Sequence, residues 1–257
     1  MFDLSDKVVL ITGAGESVGP GIARVLAKYG ATVIVCDESK AKADAVCELV
    51  FSDGGFAISA SFGLTDYNTV ITSLNAITDK IGDIDILINN VGTAYPAELS
   101  AMASFLSTNW PGIRDKNLCG FLNCCQAVLG PMSKKNWGRI ITVGSSLSEF
   151  EDDGSCYSTV RSGASGFIQQ LAKDILPYKI TCNAISLEWK HYDSVTLESL
   201  EDGISSLRIG RLDDVGYLGL YLSTEAASII SGRTIPLEIV YGDESGEMNK
   251  ASRSSCL

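Results

Sequence analysis

The sequence predicts an α/β fold, in which a parallel sheet of about seven strands carries helices on both faces in a doubly wound arrangement. Short apolar runs rich in β-branched residues recur along the chain, as in Lys7–Thr12 and Ile84–Asn90. Such runs are typical of parallel strands that are buried on both faces. Helical segments alternate with these runs, which favours crossover connections between parallel strands. Hydrophobic residues make up 46% of the 257 positions, enough for a sizeable core.

The elements can be assigned in chain order. Strand Lys7–Thr12 leads through the glycine-rich turn Gly13–Gly19 into a helix from about Pro20 to Tyr29. Pro20 suits a first helical turn, where its missing N–H is not needed, and Gly30 is a natural residue after a last turn. The other predicted strands are Thr32–Asp37, Phe56–Ala60, Ile84–Asn90, 139–145, Lys179–Ile185 and Ile235–Ile239, and the other predicted helices lie at about 38–51, 67–80, 112–135 and from about Tyr157 to Leu176.

Composition narrows the domain organisation and the classes of partner. No linker rich in Pro, Gly or Ser divides the chain, so we expect one domain over 1–242 and a polar tail over 243–257. The net charge of −11 argues against a nucleic-acid partner, because binding to a phosphate backbone needs a basic face. No apolar run reaches the roughly 18 residues of a membrane span, and the N-terminus does not resemble a signal peptide.

The eight cysteines are scattered through apolar segments and show neither C-x-x-C pairs nor a zinc pattern. They are therefore interpreted as buried, reduced thiols of a cytoplasmic protein, and no metal site is predicted.

The turn after the first strand predicts a dinucleotide site. A helix N-terminus presents free N–H groups that suit a pyrophosphate. Asp37 ends the second strand, where a carboxylate suits a ribose 2′-hydroxyl and repels a 2′-phosphate. The strand, turn, helix and acidic residue in this order favour NAD over NADP as the cofactor.

A second constellation indicates proton transfer at a carbinol carbon. Ser145 ends a predicted strand, and Tyr157 and Arg161 stand four residues apart on a predicted helix. Residues at this spacing lie on one helical face. A neighbouring cation favours a phenolate and lowers the pKa of the phenol from its usual value of about 10. The Ser145 hydroxyl can hold a carbonyl or alcohol oxygen beside the phenol.

With these residues in place, the chain resembles the short-chain dehydrogenase/reductase family over about residues 5–242. Thr12-Gly13-x-x-x-Ser17-x-Gly19 is similar to the family's cofactor turn, and Asn89-Asn90-Val91-Gly92 is similar to its Asn-Asn-Ala-Gly strand end. Ser145, Tyr157 and Arg161 fall on its Ser…Tyr-x-x-x-Lys signature, and Asn117 falls on its catalytic Asn.

The resemblance implies a Rossmann-type fold and NAD(P)-dependent oxidoreduction of alcohols and ketones, in a homotetramer or a dimer. It implies a small-molecule substrate under a lid at about 188–208. The catalytic residues implied are Ser145, Tyr157, Arg161 and Asn117, and the cofactor-binding residues implied are Gly13, Ser17, Val18, Gly19, Asp37, Asn90, Gly92, Tyr157, Arg161 and Leu187.

The chain departs from the family pattern mainly at cofactor-contacting positions. Arg161 stands where the family has lysine; it is a permanent cation with several donors, but it does not deprotonate and so cannot relay protons. Ser17 replaces the middle glycine of the cofactor turn, and its Cβ limits close approach of a phosphate. Gly63 replaces an adenine-contacting Asp, and Leu187-Glu188 replaces Pro-Gly near the nicotinamide amide.

Three functions are compatible with these residues. The first is an NAD-dependent oxidoreductase that interconverts a secondary alcohol and a ketone, with Tyr157 as general acid/base. The second is a catalytically degenerate protein on the same scaffold, a pseudoenzyme or partner subunit, which the altered cofactor positions favour. The third is a non-redox isomerase or lyase that uses the Tyr157 and Arg161 pair. The sequence does not identify the substrate.

Overall fold

The computed structural model describes residues 2–90, 110–145, 155–190 and 212–240. Within these ranges seven strands form one sheet in the order β3-β2-β1-β4-β5-β6-β7, and all neighbouring strands are parallel. The predicted doubly wound parallel sheet is thus confirmed. The strands are β1 Val8–Thr12, β2 Thr32–Cys36, β3 Phe56–Ala60, β4 Ile86–Asn89, β5 Gly138–Ser145, β6 Ile180–Lys190 and β7 Thr234–Val240.

Local signals set the ends of several helices. The Ser39 side chain accepts a hydrogen bond from the N–H of Lys42, and the Asp66 side chain accepts one from the N–H of Thr69. These are N-caps, which satisfy N–H groups that have no partner inside the helix. The described helices are α1 Gly19–Lys28, α2 Lys40–Ser52, α3 Tyr67–Ile81, α4 Trp110–Arg114, α5 Gly120–Lys135, α6 Ser155–Ile175 and α7 Leu212–Ser223.

Two hydrophobic layers enclose the sheet. One layer packs α1, α2 and α7 against one face, with residues such as Ile11 and Ile22. The other packs α3, α5 and α6 against the opposite face, with residues such as Leu10 and Phe121. Because both faces are covered, a central strand is buried along its whole length; all five residues of β1 are buried.

The strand order reverses its direction of growth at β1, which pairs with β2 on one side and β4 on the other. The carboxyl ends of β1 and β4 lie level, since Thr12 is in register with Asn89. A crevice outside the carboxyl ends of strands at such a switch point is where doubly wound sheets bind ligands. The turn after β1 and Asn90 after β4 both lie at this edge of the sheet.

Three elements differ from the prediction. The helix expected over 112–135 is interrupted by a π-helical turn, Asp115–Cys119, between α4 and α5. Strand β6 continues to Lys190 and not only to Ile185, because it pairs with β7 as far as Val240. Helix α7 was not predicted, and its Gly216 lets it pack closely on α1: a Cβ there would lie 2.8 Å from the Val25 side chain.

The six cysteines whose side chains the structure describes form no disulfide, and five of them are buried. Burial raises the pKa of Cys124 and of Cys182 to about 12, which keeps both thiols protonated and unreactive. No described helix is long and apolar enough to cross a membrane.

Candidate active site at the carboxyl edge of the sheet

The turn between β1 and α1 needs glycine at several positions. Gly13 has a φ of 58°, in the left-handed region that glycine adopts at no cost. A Cβ on Gly19 would lie 2.6 Å from the Ala14 carbonyl oxygen, and one on Gly15 would lie 2.8 Å from a carboxylate oxygen of Asp37. Val18 precedes α1 and provides no side-chain cap. The backbone therefore forms a tight cradle at an uncapped helix N-terminus, a typical anion site.

Ser17 is the strained member of this turn. Its φ is 53°, so the chain needs a left-handed residue at the position where the family pattern has its middle glycine. A residue other than glycine pays about 1–2 kcal/mol in this region. The side chain is exposed to solvent.

Replacing Ser17 with Gly is expected to tighten NADH binding several-fold, because it removes a Cβ from the predicted phosphate site. Relief of the left-handed strain also adds up to about 1 kcal/mol to the free energy of unfolding. Calorimetric titration and urea denaturation measure the two effects. Asp6→Gly is the matched control, since Asp6 has a φ of 64° outside the turn and should change stability alone. Equal NADH affinity in the wild type and Ser17→Gly would exclude a phosphate beside Ser17.

Asp37 follows β2 and is 8% exposed. One carboxylate oxygen accepts a hydrogen bond from the N–H of Gly15 at 3.1 Å, and the other accepts one from the N–H of Ser39 at 2.9 Å. These bonds fix the carboxylate beside the glycine-rich turn. A fixed carboxylate can accept hydrogen bonds from ribose hydroxyls and repels a 2′-phosphate.

Sequence reasoning missed a second acidic residue beside Asp37. Glu16 lies in the turn and forms an ion pair with Lys42 of α2, while the Cβ of Lys42 packs against Gly15. Both partners are solvent-exposed, so the pair adds little stability. The signal in the sequence was an acidic residue inside the glycine-rich turn, but its pairing with Lys42 required the fold.

Asn90 holds the turn in place. Its side-chain amide donates to the carbonyl oxygens of Gly13 at 2.8 Å and Glu16 at 3.3 Å. Its backbone N–H donates to the carbonyl of Thr12 at 3.2 Å. Asn90 was predicted to bind the cofactor, and the described contacts make it a clamp that joins the end of β4 to the turn after β1.

Asn117 lies in the π-helical turn between α4 and α5, and its side chain is 9% exposed. Its amide nitrogen donates to the carbonyl of Ile113 at 2.9 Å. Single π-helical turns are frequent at functional sites because they redirect a side chain or a carbonyl. Ile113 and Leu118 pack against Val160 of α6, which brings the Asn117 turn beside the residue that precedes Arg161.

Arg161 reaches the end of β5. A Cβ placed on Gly144 would lie 2.6 Å from the Nη1 atom of Arg161, so the guanidinium rests on the strand backbone one residue before Ser145. Tyr157 lies on the same helix, α6, one turn before Arg161, as predicted. The structure describes the backbone of Ser145 and Tyr157 but not their side chains. The cation, the phenol-bearing turn and the end of the hydroxyl-bearing strand are therefore neighbours.

Of the remaining predicted positions, only Leu187 has a described side chain. The side chain of Leu187 is 3% exposed and packs in the core, so only its backbone faces the edge of the sheet. Gly92 lies outside the described residues, as do the tail 243–257 and the part of the predicted lid (about 188–208) that follows Lys190.

Comparisons with known proteins show which proteins this chain resembles. A family model described as short chain dehydrogenase matches residues 7–189. The 3-oxoacyl-[acyl-carrier-protein] reductase of Vibrio harveyi is 31% identical over 243 residues, which cover 91% of this chain and 96% of that protein. The reductase of the same name from Aquifex aeolicus is also 31% identical, over 90% of this chain and 96% of that protein.

Solved structures of similar proteins share the fold. A 3-oxoacyl-[acyl-carrier protein] reductase from Brucella melitensis with bound NAD gives a TM-score of 0.77 at 26% identity, over 91% of this chain and 90% of that one. A hydroxysteroid dehydrogenase from Escherichia coli gives a TM-score of 0.75 at 26% identity, over 92% of this chain and 97% of that one.

Proposed function

The chain belongs to the short-chain dehydrogenase/reductase family, a family of oxidoreductases, and we propose that it interconverts a secondary alcohol and a ketone with NAD as the cofactor. The observation that carries this proposal is the position of Arg161. Its guanidinium lies against Gly144, the residue before Ser145 at the end of β5. Arg161 itself is one helical turn from Tyr157 on α6. A permanent cation at this place stabilises a phenolate and so equips Tyr157 as a general acid/base at neutral pH.

The described residues fit a nicotinamide dinucleotide. The turn Gly13–Gly19 offers backbone N–H groups at the uncapped N-terminus of α1, and its tight course leaves no room for a Cβ at Gly15 or Gly19. Asn90 stabilises the turn from β4, and Asp37 stands at its side. The cradle would hold the pyrophosphate and Asp37 would hold the adenosine ribose.

Each catalytic residue has a defined task. Hydride transfer at the carbinol carbon is the chemistry that NAD would supply when bound. In oxidation, the Tyr157 phenolate takes the proton from the alcohol oxygen; in reduction, the phenol returns that proton to the carbonyl oxygen. The Ser145 hydroxyl donates a hydrogen bond to the same substrate oxygen. Arg161 keeps the phenolate accessible, and the Asn117 turn positions a water that exchanges protons with solvent.

Arg161 also defines how this site differs from one built on lysine. A guanidinium stays protonated over the whole working range of pH, so no proton passes through it. In oxidation, the proton taken up by Tyr157 must therefore leave by another route, through water. The pH dependence of turnover therefore reports Tyr157 without a second ionisation from the residue at 161.

The Asp37 carboxylate supports NAD over NADP. Two backbone N–H groups fix it beside the turn, where a 2′-phosphate on the adenosine ribose would meet its negative charge. Lys42, a cation that could otherwise attract such a phosphate, is paired with Glu16 of the turn.

The names of the relatives point to substrates that carry a ketone or a secondary alcohol. One is a 3-oxoacyl reductase and another is a hydroxysteroid dehydrogenase. The acidic residues Glu149, Glu151, Asp152 and Asp153 lie in the segment between Ser145 and Tyr157. We propose a substrate without an anionic carrier, and tight binding of an acyl-CoA would contradict this.

Calorimetric titration of the purified protein with NADH, and separately with NADPH, tests the cofactor assignment. NADH is expected to bind in the micromolar range and NADPH much more weakly. A screen of alcohols and ketones for NADH absorbance change then tests turnover. Binding of neither nucleotide would overturn the redox function in favour of a degenerate or non-redox protein on the same scaffold.

Replacing Asp37 with Asn is expected to weaken NADH binding about tenfold and to narrow the gap to NADPH. The amide keeps one acceptor oxygen but loses the charge and one backbone hydrogen bond. This should weaken the free energy of NADH binding by roughly 1.5 kcal/mol. Titration with both nucleotides measures the ratio. Asp53→Asn is a suitable control, because Asp53 pairs with Arg24 at an exposed position away from the turn. An unchanged ratio in Asp37→Asn would remove Asp37 from the ribose site.

A further inference from the structure

Gly144 lies inside β5, where glycine weakens a strand and often marks a place that another group approaches closely. Its backbone does not need glycine, because Gly144 is not among the glycines with positive φ. Glycine is needed at this position because the side chain of Arg161 occupies the space where a Cβ would lie. An added Cβ would lie 2.6 Å from Nη1, 3.5 Å from Cζ and 3.8 Å from Nη2 of that guanidinium.

The approach comes from the face of β5 that α6 covers. Side chains alternate along a strand, so Gly144 shares a face with Ile140, which packs in the same layer as Ala164 of α6. A guanidinium is broader than the ammonium of lysine and presents a planar fork. The missing side chain at 144 supplies the room for that extra breadth.

We propose that Gly144 is a positioning residue for Arg161: its bare Cα forms the seat that holds the guanidinium at the end of β5, beside Tyr157 and Ser145. The consequence for catalysis rests on the proposed function; the seat itself does not. The site is accordingly built as a matched pair, in which an arginine at 161 requires a glycine at 144.

A methyl group at 144 is expected to move the guanidinium and leave the fold intact. The clashing atoms are the far end of a flexible side chain, which can swing away, and the strand conformation accepts alanine. The displaced cation then stabilises the Tyr157 phenolate less. With lysine at 161 the single ammonium nitrogen needs no such space, so the same methyl group should have little effect.

Four proteins test the pair: the wild type, Gly144→Ala, Arg161→Lys and the double variant. Alcohol oxidation needs the phenolate, so a weaker cation moves its pH profile upward. In Gly144→Ala the midpoint should rise by about one pH unit, which is about a tenfold loss of rate below the midpoint. Adding Gly144→Ala to Arg161→Lys should lower the oxidation rate less than about twofold. Residues 144 and 161 are then little coupled, because the guanidinium that contacts position 144 is gone.

Gly166→Ala is the matched control, since an added Cβ at this exposed position of α6 meets nothing within 4 Å. It should leave the pH profile unchanged. The proposal would be overturned if Gly144→Ala lowered the oxidation rate equally in the wild-type and the Arg161→Lys backgrounds. It would also be overturned if the pH profile of Gly144→Ala matched that of the wild type. If Gly144→Ala does not fold, a folded double variant still assigns the clash to Arg161, and an unfolded one rejects it.

A readout without turnover separates the two proposals. The ionisation of Tyr157 can be followed by ultraviolet absorbance, as the difference between each protein and the same protein carrying Tyr157→Phe. A higher midpoint in Gly144→Ala supports the seat even if no alcohol is oxidised, in which case only the proposed function fails. An unchanged midpoint in a protein that turns over alcohols rejects the seat and leaves the function standing.

Discussion

Replacing Tyr157 with Phe is expected to abolish turnover and leave the affinity for NADH nearly unchanged. The variant keeps the ring but lacks the hydroxyl that exchanges a proton with the substrate oxygen. Loss of a general acid/base costs roughly a hundred- to ten-thousandfold in rate. Steady-state kinetics on the best substrate found measure the first effect, and calorimetric titration with NADH measures the second.

The same substitution at Tyr178 provides the control. Tyr178 is 45% exposed in the short turn after α6, so Tyr178→Phe should match the wild type in both measurements. Wild-type turnover in Tyr157→Phe would refute the acid/base role. A parallel loss of NADH affinity would instead mean that the phenol serves mainly to hold the cofactor.

Most of the sheet could be predicted because parallel strands that are buried on both faces are short apolar runs. Strand Phe56–Ala60 has the bounds that its sequence predicts. The sequence also places the candidate site, because a glycine-rich turn after the first strand and Asn-Asn after the fourth are expected to meet at the switch point of such a sheet. Asp37 and Asn90 lie at that edge.

The missed elements have particular physical causes. Helix α7 contains Gly216 and Gly219, which are turn signals in a sequence, yet Gly216 serves close packing against Val25 of α1. The π-helical turn at Asn117 inserts into a helix without breaking its apolar pattern. The extension of β6 to Lys190 depends on pairing with β7, a partner that is about 50 residues away in the chain.

Two site contacts were beyond sequence reasoning because they are distances between separate elements. Glu16 pairs with Lys42 across the turn, and Arg161 rests on Gly144 at the end of β5. Sequence alone shows that arginine replaces lysine at 161, and that its larger head needs space. Only the fold identifies the glycine that provides this space.

Replacing Arg139 with Ala is expected to lower the free energy of unfolding by about 3–5 kcal/mol. Arg139 is 1% exposed in β5, and its guanidinium donates to the carbonyl oxygens of Thr224, Gly138 and Lys179. Removing it leaves these carbonyls without that donor and opens a cavity beside Trp137, whose ring centroid is 4.5 Å from the guanidinium carbon. Urea denaturation of the folded protein measures the loss.

A substitution at Glu225 distinguishes the contribution of the buried hydrogen bonds to stability from that of the ion pair. Its carboxylate lies 3.0 Å from the Arg139 guanidinium but is 76% exposed, so Glu225→Gln should cost less than about 1 kcal/mol. Arg139 is six residues before Ser145 on β5, roughly 20 Å from the site, so the folded fraction of Arg139→Ala should keep normal turnover. If Arg139→Ala cost no more than Glu225→Gln, the buried hydrogen bonds would not be what stabilises this end of the sheet. A difference of several kcal/mol would assign the stability to the buried side of Arg139 and not to the surface ion pair. Two of its carbonyl contacts, to Lys179 and Thr224, join β5 to the turns after α6 and α7.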